Sequence, residues 1–82
     1  MLTKNVTGKV SGSRNFTLAI TSGYKFLCTD STSVSGADIA KINDYYAAQS
    51  GNNIFCQYYV YNPQTANLGL DFRFIIIRNT LY

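Results

Sequence analysis

The chain contains no histidine, no glutamate and no tryptophan. Without imidazole there is no ordinary Ser-His-Asp triad, no Cys–His pair and no histidine-based metal set. Without glutamate, the side-chain carboxylates are only Asp30, Asp38, Asp44 and Asp71. Asp38 stands where a capping-box acid would sit at a helix start, and Asp44 reads as a solvated helix residue. Asp71 can pair with Arg73 along one strand face or with a cross-strand base. Asp30 opens a polar loop, and no sequence spacing fixes its separation from Asp71 as a sugar-cleaving pair would require. Glycines occur singly, in SGS, TSGY and VSGAD, so there is no glycine-rich phosphate loop. VSGAD could receive an anion at a helix N-terminus, but Ser35 reads more simply as a cap. These absences predict a non-enzyme with no catalytic residues, no cofactor and no metal.

Other scarcities narrow the class further. There are two cysteines and no CxxC. Cys28 and Cys56 both fall in apolar strand patterns and read as buried thiols, with a mutual disulfide as the alternative. The longest wholly apolar run is four residues, far short of a membrane-spanning segment. The opening MLTKNVTGKV lacks the apolar core of a signal peptide. The expected location is therefore the cytoplasm of a (host) cell or a virion, with no membrane contact. Asn5-Val6-Thr7 and Asn15-Phe16-Thr17 match the glycosylation pattern, as an Asn- and Thr-rich chain does by chance. Only 13% of residues are charged, about half the usual share. The net charge of +3 comes from scattered single bases, with no polybasic tract.

What the chain has is apolar and neutral-polar material. Hydrophobic residues make up 46%, aromatics 15%, and Ser, Thr, Asn and Gln supply 26 of the 82 positions. This is one small domain, 1–82, with a core that buries only about 60–65% of the unfolded surface. Such a core gains from oligomerisation.

Periodicity predicts the elements. A first strand covers roughly Leu2 to Val10, a second Asn15 to Thr21, and a third Tyr24 to Thr29, joined by short turns into an antiparallel meander. DSTSVSG, residues 30–36, reads as a loop. A helix is expected from Ser35 to the C-cap Gly51, with Ile39, Ile42 and Tyr46 as its buried stripe. A fourth strand, Asn53–Tyr61, and a fifth, Leu68–Arg78, form a hairpin around NPQTAN. The predicted fold is α+β, β-β-β-α-β-β, with one helix packed on a five-stranded antiparallel sheet.

The last two strands carry the functional signal. Ile54, Cys56, Tyr58 and Val60 alternate with Phe55, Gln57, Tyr59 and Tyr61. One helix covers only one face of a sheet, so Phe55, Tyr59, Tyr61, Arg73, Ile75 and Ile77 are expected on an uncovered second face. Three readings compete. The face contacts another copy of the chain or another protein, because tyrosine buries its ring while keeping its hydroxyl wet. Or the rings stack nucleotide bases, with Arg73, Lys25 and Arg78 near phosphates, though no RNA-recognition consensus is present. Or the sheet curls into a small barrel and packs both faces internally. The first reading leads. It predicts a non-enzymatic binding or assembly protein acting as a homo-oligomer, of a composition that suits a viral structural or phage accessory protein, such as an inhibitor of host defence. A single-stranded nucleic-acid or nucleotide-binding module is the alternative.

Overall fold

The computed structural model describes residues 1–81. It contains six strands, β1 (Leu2–Gly8), β2 (Gly12–Ala19), β3 (Tyr24–Ser35), β4 (Lys41–Ser50), β5 (Asn53–Tyr61) and β6 (Leu68–Arg78), followed by one 3₁₀ turn, Asn79–Leu81. They form two three-stranded antiparallel sheets, β1-β6-β3 and β2-β5-β4. β5 and β6 occupy the residues expected of the last two strands. Their alternation buries Ile54, Cys56, Tyr58 and Val60 from one sheet against Leu68, Leu70, Phe72 and Phe74 from the other. Phe72 lies 4.9 Å from Tyr58 and 5.0 Å from Phe16, ring centre to ring centre. The molecule measures 46 × 17 × 17 Å, a rod in which two sheets about 10 Å apart enclose a single layer of side chains.

The α+β expectation is therefore corrected to an all-β sandwich. No α-helix occurs among the described residues. The segment expected to be helical is a short loop followed by β4, which pairs with β5 from Lys41↔Tyr61 to Ser50↔Asn53. Gly51 does not cap a helix; with φ 60° it forms the two-residue turn Gly51-Asn52 of a β4–β5 hairpin. The misreading has a physical cause. Asn43 is an extra residue between the pairs Ile42↔Val60 and Asp44↔Tyr59. Such a bulge shifts the alternation by one and removes the period of two across β4. Ile42, opposite the buried Val60, and Tyr46, opposite Gln57, keep the i, i+4 spacing of a helical stripe although they lie on different sides of the sheet. The supposed buried stripe is mostly open: Ile39 is 53% exposed and Tyr46 is 62% exposed.

The meander and the final hairpin are also corrected. β1 and β3 flank β6, while β2 and β4 flank β5, so every connection except the β4–β5 turn crosses between sheets. Val10 and Ile20 lie in the first two crossings rather than in strands, and both are buried. The expected loop at 30–36 is largely the second half of β3, whose bulges at Leu27 and Asp30 break its alternation. Only the inner face of each sheet is packed, so the sheets do not bury both faces as the barrel reading requires.

The crossing from β5 to β6 is held by one buried amide. Asn62 is 5% exposed. Its Nδ2 donates to the carbonyls of Val10 (3.1 Å) and Ala66 (2.9 Å), and its Oδ1 accepts from the Ala66 N–H (3.2 Å). At the same end, Gly36 (φ 106°) packs its Cα against the Asn67 carbonyl, where any Cβ would collide. Asn62→Ala is expected to lower stability by about 2–3 kcal/mol, because it strands the buried Val10 carbonyl and the part-buried carbonyl and N–H of Ala66. Urea denaturation should show a lower midpoint with an unchanged m-value.

Candidate functional site

Residues directly opposite each other in an antiparallel pair share a face, so the register maps the outer surfaces. On β2-β5-β4 the rows are Ser13–Tyr59–Asp44, Asn15–Gln57–Tyr46, Thr17–Phe55–Ala48 and Ala19–Asn53–Ser50, with Tyr61 beside Lys41 at one end. Phe55, Tyr46, Tyr59 and Tyr61 thus form a ladder of rings at successive steps of about 6.6 Å along the strands. Phe55 is half-buried; Tyr59 is 46% and Tyr61 43% exposed. Tyr46 stands between two shallow clefts. One, of about 340 Å³, lies between Tyr46 and Phe55 over Ala48. The other, of about 160 Å³, lies between Tyr46 and Tyr59 over Gln57. Asp44 and Lys41 are the only charged residues among these rows, and they cancel.

The structure divides the six residues expected on one face into two groups of three. Phe55, Tyr59 and Tyr61 are on the outer face just described. Arg73, Ile75 and Ile77 are on the outer face of the other sheet, across the full thickness of the sandwich. Arg73 stands opposite Thr3 and Ser31, beside a row in which the Asn5 amide donates to Asp71 at 2.7 Å. Lys25 stands opposite Ile77, and Arg78 opposite Tyr24 at the strand end. The expected anion contacts therefore do not border the ring ladder. Tyr46 also belongs to the ladder, although its spacing from Ile39 and Ile42 predicts a buried helical stripe. The two-residue Gly51-Asn52 spacing between apolar runs was the signal that could have found it.

The four edge strands are each blunted. Lys4 on β1 sits opposite Phe72 and so occupies an inner-face position, its Nζ 5.9 Å from the Phe16 ring centre. Arg14 on β2 sits opposite the buried Tyr58 and is likewise on the inner side of an edge. β3 and β4 carry the bulges. The side chain of Gln49 on β4 also accepts from the Phe26 N–H of β3 at 2.9 Å. Inward charges and bulges are devices that stop strands pairing edge to edge. Lys4→Val combined with Arg14→Val should convert the protein to sedimenting, β-rich aggregates. Thioflavin fluorescence and sedimentation measure this.

Neither thiol is part of the ladder. Cys28 is exposed, which corrects the expectation that both cysteines are buried, and Cys56 is buried; both are free. Cys28 lies on the outer side of one sheet and Cys56 on the inner side of the other, so they do not meet. Burial pushes the Cys56 thiol from 9.0 up to about 11. Burial also raises the Tyr58 phenol, with neighbouring Cys56 adding to the rise and Arg14 opposing it. Among the described residues no three His, Cys, Asp or Glu side chains gather as a metal site, and no helix is long and apolar enough to cross a membrane.

No family model, curated protein or solved structure matches the chain.

The thiols give a pH prediction. Below pH 9.0 Cys56 is neutral both folded and unfolded, and its contribution to stability is fully present. Above that the unfolded chain loses its proton first, so stability falls until the folded thiol ionises near pH 11. The loss attributable to Cys56 is roughly 2–3 kcal/mol. It is measured as the part of the alkaline drop in urea midpoint that Cys56→Ala removes. A thiol reagent at pH 8 should label Cys28 alone until the protein unfolds.

Proposed function

We propose that the protein is a non-enzymatic binding and assembly protein that works as a homo-oligomer through the ring-bearing outer face of β2-β5-β4. The observation that carries this reading is the ladder Phe55, Tyr46, Tyr59 and Tyr61 on a face with cancelling charges that no other element among the described residues covers. Large exposed ring patches mark contact surfaces. Tyrosine is enriched at such surfaces because its ring is amphipathic and loses few rotamers. A neutral face suits a protein surface better than a polyanion. Nucleic acid needs several cations beside the rings to neutralise phosphates. Here Arg73, Lys25 and Arg78 lie on the opposite sheet, which weakens the nucleic-acid alternative. The viral or phage-accessory origin rests on composition alone, and the proposal does not depend on it.

The test is the mass in solution. Light scattering after gel filtration at tens of micromolar should give a multiple of the 9.1 kDa chain. Tyr59→Ser/Tyr61→Ser should return it to monomer. Because both rings are solvent-facing, this double change should shift unfolding free energy by only about 0.5 kcal/mol per site. A monomeric wild type, or a double variant that unfolds or stays assembled, overturns the proposal. Ring-dependent binding of single-stranded oligonucleotides at low salt, with a monomeric wild type, would move the reading to nucleic acid.

A further inference from the structure

The cleft at the Phe55 end of the ring face differs from its neighbours in what lines it. Phe55, half-buried, lies low in the middle of the sheet. The register puts Thr17 of β2 on one side of it and Ala48 of β4 on the other, with the pair Asn53–Ser50 one row along the strands. Tyr46 rises beside Ala48 and is 62% exposed. The space of about 340 Å³ between them therefore has a shelf, Phe55, a wall, Tyr46, and neutral hydroxyl and amide groups round its rim. No charged side chain is among the described residues that line it. The adjoining cleft carries Asp44, and a cleft of about 300 Å³ on the other outer face carries Asp71 and Arg73. We propose that the Phe55 cleft is a saccharide site, which takes a neutral pyranose unit with equatorial hydroxyls. This goes beyond the homo-oligomer reading and does not rest on it, since the cleft lies at the end of the face away from Tyr61.

The lining selects the ligand by exclusion. A phosphate, a carboxylate or an ammonium group placed here meets no counter-charge and gives up its water without compensation. A purely apolar ligand covers Thr17, Ser50 and Asn53, whose side chains bond to no other described residue, and leaves them unpaired. A pyranose meets both conditions. Its C–H bonds, polarised by the neighbouring oxygens, present a weakly positive face to the negative face of an aromatic ring. Its hydroxyls both donate and accept, as do the hydroxyls and the amide of the rim. With every hydroxyl equatorial, the polar groups radiate in the plane of the sugar and both of its faces carry only C–H. An axial hydroxyl would set an oxygen against Phe55 and dehydrate it.

The cleft is shaped before any ligand arrives. Inside the sandwich the rings pack on one another, Phe72 on Tyr58 at 4.9 Å and on Phe16 at 5.0 Å. Phe55 and Tyr46 make no such ring contact among the described residues, so the space between them stays open. Gln49 of β4 also lines the cleft, and its amide is held at both ends. Oε1 accepts from the Phe26 N–H at 2.9 Å, and Nε2 donates to the Gly51 carbonyl at 2.9 Å. That ties the strand carrying Tyr46 and Ala48 to β3, and binding does not have to order it. The volume stands at the low end of ligand pockets, about 300–1,000 Å³. For a shallow cleft that covers one side of its ligand, the dissociation constant is expected on the order of 1 mM.

Titration of isotope-labelled protein with cellotriose, a short chain of β-linked glucose units, tests the site through backbone amide shifts. It is run on the wild type and on Tyr59→Ser/Tyr61→Ser, so that assembly cannot hide the cleft, with light scattering on the same samples. The expected result is saturable shifts at Thr17, Ala48, Asn53 and Phe55, and none at Thr3, Ser33 and Arg73 on the other sheet. Sorbitol, which has the hydroxyls without a ring face, should produce no saturable shift. Tyr46→Ala should weaken binding about fivefold. Thr17→Val, which keeps the shape and removes the hydroxyl, should weaken it about threefold and serves if Tyr46→Ala does not fold. No saturable shift in either protein, shifts matched by sorbitol, or binding unmoved by both substitutions overturns the saccharide site and leaves the homo-oligomer standing. A monomeric wild type that binds cellotriose overturns the homo-oligomer and leaves the site standing.

Discussion

The facing of β5 against β6 is the contact on which the structure depends. Of the ten buried hydrophobic residues among those described, eight come from these two strands; the others, Val10 and Ile20, lie in connections. β1, β2, β3 and β4 contribute only half-buried partners such as Leu2, Phe16, Phe26, Val34 and Ile42. In effect two central strands carry the core, and the remaining four pair with them and close its sides. β5 and β6 are neighbours in sequence but lie in different sheets, so the crossing between them decides whether their apolar sides meet. That is why a buried amide sits there. Asn62 satisfies three backbone groups at once and joins this crossing to the β1–β2 crossing at Val10. A buried amide with all its partners specifies one geometry, whereas an apolar residue in its place would tolerate several.

The division between what was readable in the sequence and what was not follows from the same arrangement. β5 and β6 alternate without interruption, so their period of two gives both their extents and their buried residues. β3 and β4 are interrupted by bulges at Leu27, Asp30 and Asn43. Each bulge changes the phase of the alternation. β3 therefore reads as a short strand and a loop, and β4 reads as a helix. The pairing was less legible still. Every partnership except β4–β5 joins segments separated by at least one other strand, and short turns suggest local hairpins that do not form. The mixture at the candidate site has the same origin. Phe55, Tyr59 and Tyr61 alternate correctly as outward residues, and so do Arg73, Ile75 and Ile77. Period two assigns a side relative to each strand, not relative to the molecule.

The two outer faces differ in what they present to solvent. On β1-β6-β3 the rows carry Thr3, Asn5, Thr7, Ser31, Ser33 and Ser35 around the charged pair of positions Asp71 and Arg73. Short hydroxyl and amide side chains there present a hydrated surface, with Ile75, Ile77 and Cys28 confined to one end. On β2-β5-β4 the corresponding rows carry rings. Both faces belong to three-stranded sheets of similar length, so the contrast comes from the residues and not from the architecture. Exposing a ring in water forgoes the stabilisation that its burial would bring, on the order of 25 cal/mol per Å² of apolar surface. Phe55, Tyr46, Tyr59 and Tyr61 therefore make this outer face depart from the hydrated pattern of the other.

That departure connects to the size of the core. A domain of this length stands close to the limit at which a single hydrophobic layer outweighs chain entropy. Anything that binds only the folded form adds stability that grows as the logarithm of its concentration relative to its dissociation constant. A ring face covered in the assembled state would thus serve recognition and folding together, and it would do so only if assembly stops at a defined size. Open strand edges would let a low-charge, tyrosine-rich chain extend without limit. Lys4 and Arg14 on one side of the sandwich, and the bulged β3 and β4 on the other, oppose that extension. The sparse charge of the chain is thus concentrated to a useful degree: two of its seven basic residues stand on inner-facing positions of edge strands. There, a positive charge hinders a further strand from joining without disturbing either outer face.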